Sequence, residues 1–119
     1  MALHYNLAKV YAISDNDPDF VHQVVKEFVK DTPRDLDYIK LAIEEKNHHK
    51  CFEYAHKIKP LLDLLSMNIA LEEVILIELW AKSLGKKKEV IELYRSISNH
   101  IEKAIKEIKK DFNLNSVKI

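Results

Sequence analysis

The chain is expected to be all-α, folded as one antiparallel bundle of helices, and three observations lead there. It holds a single glycine among 119 residues, whereas sheets and hairpins draw on glycine for their tight turns. Hydrophobic residues make up 47% and charged residues 32% of the chain, a balance that can bury a core and that neither disordered nor membrane-spanning chains share. Apolar residues recur by threes and fours along most of the length, the period of helices that bury one face. This length suits one domain with one core. Residues 1–119 therefore read as a single unit: a short N-terminal helix over about 6–13, a bundle over about 17–112 and a tail over 113–119.

Nineteen basic and nineteen acidic residues give zero net charge, which argues against a nucleic-acid binder working through a broad basic surface. Cys51 is the only cysteine, so an intramolecular disulfide is excluded and a reducing compartment fits. The start, Met1-Ala2-Leu3-His4-Tyr5, lacks a basic segment followed by an apolar run, so no signal peptide is expected. The apolar run Val74 to Ile77 is far too short to span a bilayer. A cytoplasmic protein that does not enter the membrane is the expectation.

In chain order, Leu7, Val10 and Tyr11 share one side of the first short helix. Ser14-Asp15-Asn16-Asp17 breaks it, and Asp17-Pro18 reads as an N-cap followed by proline at the first helical position. Phe20, Val21, Val24, Val25, Phe28 and Val29 carry the next helix. Thr32-Pro33-Arg34-Asp35 repeats the start signal, much like a capping box, and either opens a new helix through Leu36, Ile39 and Ile43 or kinks one long helix. Five or six helices follow from these alternatives. Glu45 to Lys50 is a polar break. After the next helix, Ser66-Met67-Asn68 ends it, Asn68 is expected to cap its successor, and Glu72 and Glu73 to lie in that successor's first turn. That helix is apolar almost all round (Leu71, Val74, Ile75, Leu76, Ile77, Leu79, Trp80), so it is either buried on several sides or lends apolar surface to a partner. Gly85 is expected to supply its stop. The last helix runs from Val90 to Phe112, with Lys106, Lys109 and Lys110 complementing the dipole at its end.

The stretch from Phe52 to Leu65 holds the feature to explain. At about 100° per residue, Cys51, Tyr54, Ala55, Ile58, Leu61, Leu62 and Leu65 form an apolar stripe, and His56 lies opposite its middle. Lys59 and Asp63 flank it on one side, Glu53 and Pro60 on the other. A histidine is thus displayed on the crest of a solvated face, with a lysine one turn on.

Conventional active sites are not visible. No glycine-rich loop exists to cradle a nucleotide, one cysteine rules out a cysteine-based zinc site, and no nucleophile elbow supports a Ser-His-Asp triad. Among the six histidines, Glu45/His48 and Glu53/His56 have Glu-x-x-His spacing, which di-iron bundles use on facing helices. Here the pairs lie eight residues apart and point away from the expected core, so no metal is expected.

Ala55-His56-Lys57-Ile58-Lys59 resembles the A-H-x-L-K segment of histidine-containing phosphotransfer (HPt) domains. The register continues through Leu62 and Leu65 at core positions and Ser66 where that family ends its helix with glycine. Upstream, Phe28, Thr32-Pro33, Leu36 and Ile39 match the family's F-x-x-x-x-P-x-x-[LI] approach. The resemblance covers about residues 17 to 110 and implies an antiparallel four-helix bundle of HPt type, here with an added short N-terminal helix. It also implies a phosphorelay intermediate, not an enzyme with its own ATP site. His56 would accept a phosphoryl group from the phospho-aspartate of a receiver domain and pass it to an aspartate on another. Lys59 matches the family's phosphate-stabilising lysine. The partners implied are receiver domains of response regulators or hybrid sensor kinases, which bring the magnesium; the chain itself holds no cofactor. Residue chemistry agrees. Neutral imidazole is a competent nucleophile near pH 7, and phosphoryl transfer asks mainly for positioning and charge stabilisation.

Two positions depart from the family. Pro60 stands where glycine is usual, removing the hydrogen bond to the His56 carbonyl and kinking the helix; it is expected to offer a flat docking surface. Leu61 replaces a small or polar residue and is expected to be more buried. The docking face is assigned to Phe52, Lys57, Pro60, Asp63 and Leu64, with Phe52 alternatively packing against a neighbouring helix. Trp80 and Tyr94 are read as core anchors, His48 and His49 as solvent-facing, Gly85 to Lys88 as a solvated loop, and His100 has no assigned role. The rival reading is a helical adaptor that binds through the apolar helix, with His56 incidental. A monomer is expected, and the surplus apolar helix leaves a dimer open.

Overall fold

The computed structural model describes residues 2–114, and over these the protein is all-helical, with five helices and no strand. Met1 and residues 115–119, the end of the expected tail, lie outside the described residues.

Asp17 does what its sequence promised: its carboxylate accepts from the amides of Asp19 and Phe20, and Pro18 occupies the first helical position. The short helix before it, α1 (Ala8–Ile13), buries Val10. Tyr11, expected on the same side, is exposed instead.

Helix α2 (Pro18–Glu44) runs unbroken through Pro33, so Thr32 is not a cap. Proline there removes one backbone hydrogen bond, at a cost of about 3 kcal/mol in a helix interior. The buried stripe of Val25, Phe28, Val29, Thr32, Leu36, Ile39 and Ile43 nevertheless keeps its spacing across the proline. Each large apolar side chain so buried contributes about 1.5–3 kcal/mol, and the sum outweighs the local defect. Among the described residues Thr32 Oγ1 is left buried and without a partner, while Asp35 is buried against cations.

Asn47 caps α3 (His48–Leu64) by accepting from the Lys50 amide at 3.1 Å. The stripe expected for this helix is the one observed: Cys51, Ala55, Ile58, Leu62 and the following Leu65 are buried, and Tyr54 and Leu61 half-buried. Pro60 lies within the helix on its exposed side.

Two details of α4 (Asn68–Lys82) correct the sequence reading. Asn68 is its first residue and caps nothing; the helix begins one residue earlier than the capping pattern implied, with Met67 at the N-cap position. Glu72 and Glu73 consequently fall in the second turn. Glu73 instead pairs with Ser96 and His100 on α5 (Lys87–Asp111).

The turn between α4 and α5 departs from expectation too. Leu84, not Gly85, takes the left-handed conformation, with φ of 55°. Glycine serves here by having no Cβ: a carbon added at Gly85 would sit 2.3 Å from the Trp80 indole. The indole lies across the loop, half-buried, and Nε1 donates to the Lys86 carbonyl at 2.9 Å. His48 packs against Trp80 with the rings tilted by 36° and 4.8 Å between centroids, and its Nε2 donates to the Gly85 carbonyl at 2.8 Å. His48 is therefore part of this corner and not solvent-facing, whereas His49 is exposed. Lys46, Ser66 and Asn113 also adopt positive φ at helix ends.

Helices α2 and α4 pack on either side of α3, and α5 closes the ring against both. Connections of three and four residues between these helices run consecutive ones in opposite directions. The core is one continuous cluster, with Phe28, Ile39, Ile58, Leu62, Ile77, Ile97, Ile101 and Ile108 fully buried at its heart. A small satellite of Val10, Val21 and Val24, with Leu61 and Leu64 packed on it, lies beneath α1. Tyr94, read as a core anchor, is half-buried and donates to the Leu36 carbonyl at 2.9 Å. Leu114, read as tail, is buried against the core. No helix among the described residues is long and apolar enough to cross a membrane.

Candidate functional site

The buried stripe of α3 fixes the opposite side of that helix outward, and His56 stands there with 65% of its side chain exposed. The ring is nevertheless held. Its Nδ1 lies 2.9 Å from Oε2 of Glu78 on α4, and Phe52, one turn earlier, stacks against it at 5.8 Å with planes 15° apart. The Lys82 ammonium stands 5.1 Å from the Phe52 centroid, and Phe52 is half-buried.

Glu78 is 7% exposed, and both of its oxygens are engaged. Lys59, one turn after His56, donates from Nζ to Oε1 at 2.8 Å. One carboxylate thus joins the lysine and the histidine. A carboxylate beside an ammonium accepts only, so Nδ1 of His56 carries a proton, and whenever the ring is neutral Nε2 holds the lone pair. The arrangement is an exposed imidazole held at one nitrogen by a carboxylate that a lysine also grips.

Glu78 was not singled out from the sequence. The available signal was a lone charged residue within the apolar run from Val74 to Ala81, since a carboxylate is seldom buried without partners.

The other residues assigned to the site divide between its two flanks. Lys57 turns away from Lys59 and bonds Asp35 on α2 at 3.3 Å, with Arg34 Nε 4.0 Å from the same carboxylate oxygen. Pro60, Leu61 and Leu64 line a groove of about 490 Å³ between α2 and α3, with Phe20 and Val24 opposite. Asp63 pairs with Lys9 of α1 at 3.0 Å. Phe52, His56 and Lys59 therefore meet on the α4 side, while Lys57, Pro60 and Leu64 belong to the α2 side.

The Glu-x-x-His pairs do not converge. Glu53 pairs with His49 at 3.0 Å and His48 joins the Trp80 corner. Among the described residues no three histidine, cysteine, aspartate or glutamate side chains gather as metal ligands. His4 and His100 also face carboxylates, at 3.5 and 3.6 Å, but those side chains are about twice as exposed as Glu78.

These features define an all-α protein with an exposed histidine held by a buried carboxylate. No protein-family model, curated protein or solved structure matches the chain.

Proposed function

We propose that the chain is a phosphorelay intermediate of the HPt type, an antiparallel four-helix bundle with an added N-terminal helix. It would take a phosphoryl group from one receiver domain's phospho-aspartate and deliver it to another's aspartate. The observation that carries this reading is the His56–Glu78 contact at 2.9 Å, which leaves Nε2 as the nucleophile on an exposed ring.

The step balances without any residue acting as a base. The Nε2 lone pair attacks phosphorus in line, the P–O bond to the donor aspartate breaks, and that aspartate leaves as a carboxylate. The proton on Nδ1 stays where it is. Phosphorylated imidazole then bears positive charge, and the Glu78 carboxylate faces it. Lys59 turns its ammonium from Glu78 toward the phosphoryl oxygens. Return to a second receiver reverses the sequence. Magnesium, by the family resemblance, belongs to the receiver. Pro60, Leu64 and the groove beside them, together with Phe52, are the docking surface in this reading.

The test is incubation of the folded protein with phospho-receivers from the same cell, followed by peptide mapping in alkali, which preserves phosphohistidine. Label on His56, lost in His56→Ala, is the expected result. A folded chain that no cognate receiver labels would make His56 incidental and leave the adaptor reading.

A further inference from the structure

Two adjoining depressions at the Trp80 end of the bundle gather positive charge that the chain does not answer. In the first, of about 340 Å³, Lys46, Lys86, Lys87 and Lys88 stand around Ile43, His48 and Trp80. The second, of about 280 Å³ between α2 and α5, is lined by Lys40, Lys87 and Arg95, with Glu44 as its one acid. Ile43 and Lys87 belong to both. Among the described residues Arg95 pairs with Glu92 at 2.7 Å, and the five lysines form no ion pair.

This placement works against the fold. Lys86, Lys87 and Lys88 occupy the N-cap and the first two positions of α5, where the helix dipole disfavours cations. The whole chain has zero net charge, so acids enough to neutralise the corner exist and lie elsewhere. An anionic ligand would offset both the mutual repulsion and the dipole.

Shape narrows its class. The cations surround an apolar and aromatic floor of buried Ile43 and half-buried Trp80, Ile91 and Tyr94. The Trp80 and His48 rings are held by their bonds to the Lys86 and Gly85 carbonyls, so the first depression is formed before anything enters it. Two small concavities on a chain of zero net charge suit a compact anion better than a long polyanion.

We propose that this corner binds a small ligand carrying two or more phosphate groups. Ammonium groups act as point charges for phosphate oxygens, and Lys87, shared by both depressions, is the central one. Any ring or apolar body on the ligand rests on the Trp80 and Ile43 floor. The proposal does not depend on phosphorylation of His56.

Titration of the full chain with inorganic tripolyphosphate, ATP and inorganic phosphate tests it, followed by calorimetry and by emission of Trp80, the only tryptophan. Saturable binding of tripolyphosphate or ATP is expected, at least tenfold tighter than inorganic phosphate and weakening as salt rises. ATP the tighter of the two would show that the floor is used; equal affinities would assign the site to the phosphates alone. Lys87→Glu should weaken binding about tenfold or more without lowering thermal stability, since an acid suits the first turn of a helix. Lys110→Glu, about 34 Å further along the same helix, should bind like the native chain. No saturable binding, inorganic phosphate as effective as tripolyphosphate, or equal losses in Lys87→Glu and Lys110→Glu would each overturn the proposal. Tighter binding of a single-stranded oligonucleotide than of either triphosphate would overturn it too.

Discussion

His56 Nδ1 and Glu78 Oε2 lie 2.9 Å apart across twenty-two residues of sequence and a helix–helix packing interface. The contact holds the ring by one of its nitrogens, and Glu78 is itself pinned by Lys59 at 2.8 Å. Orientation of the imidazole is thus built into the packing of α3 on α4, before any partner arrives.

In the proposed relay, removing that carboxylate should slow phosphoryl transfer more than it harms the fold. Glu78→Ala is expected to lower the rate of labelling from a phospho-receiver by about 10–100-fold, the worth of a hydrogen bond to a charged group. Glu78→Gln keeps an acceptor for Nδ1 and should lose less. Single-turnover transfer rates measure both, and equal rates in all three proteins would deny Glu78 a positioning role.

In the proposed relay, Pro60 would set stability against docking. Pro60→Ala returns an amide for the His56 carbonyl, and the gain, reduced by the greater freedom of the unfolded chain, should be about 1–2 kcal/mol in a denaturant titration. Transfer should slow if the proline helps to seat the receiver. An unchanged rate would remove its part in docking.

Gly85→Ala places a methyl group where the Trp80 indole now lies, 2.3 Å away. Either the indole or the turn must move, so a loss of about 1–3 kcal/mol is expected, together with a shift in tryptophan emission. Trp80 is the only tryptophan, which makes that spectrum specific to this corner.

Burial pushes the Cys51 thiol up to about 11. The native state therefore holds a proton that the unfolded chain releases at lower pH. This part of the stability is complete below the ordinary thiol value and is lost as pH rises toward 11. Cys51→Ala should flatten that decline in a pH series of denaturant melts. Native Cys51 should also resist alkylation near neutral pH until the chain unfolds.

Local signals read well where tertiary packing agreed with them. Asp17-Pro18 started a helix, and the α3 stripe buried the residues its periodicity marked. Of the two readings left open at Thr32-Pro33, the single long helix is the one observed, because a start signal is weak beside an apolar stripe that keeps register through it, from Val29 to Leu36. The exposure of His56 was legible from one helix alone. Its partner was not, since Glu78 belongs to another helix and nothing local reports which carboxylate will come to lie beside the ring. The same distance hid the His48–Trp80 corner, which depends on two loops meeting.

Lys46, Ser66 and Leu84 hold left-handed backbone at the three turns that join the long helices, with φ between 54° and 57°. Side chains pay about 1–2 kcal/mol for that geometry, and the one glycine is committed elsewhere. The bundle's turns thus keep a reserve of robustness that the chain has not drawn on. A lineage needing to tolerate a costly change at the histidine, or an engineer wanting a hardier scaffold, has three separate places to find it without touching the core.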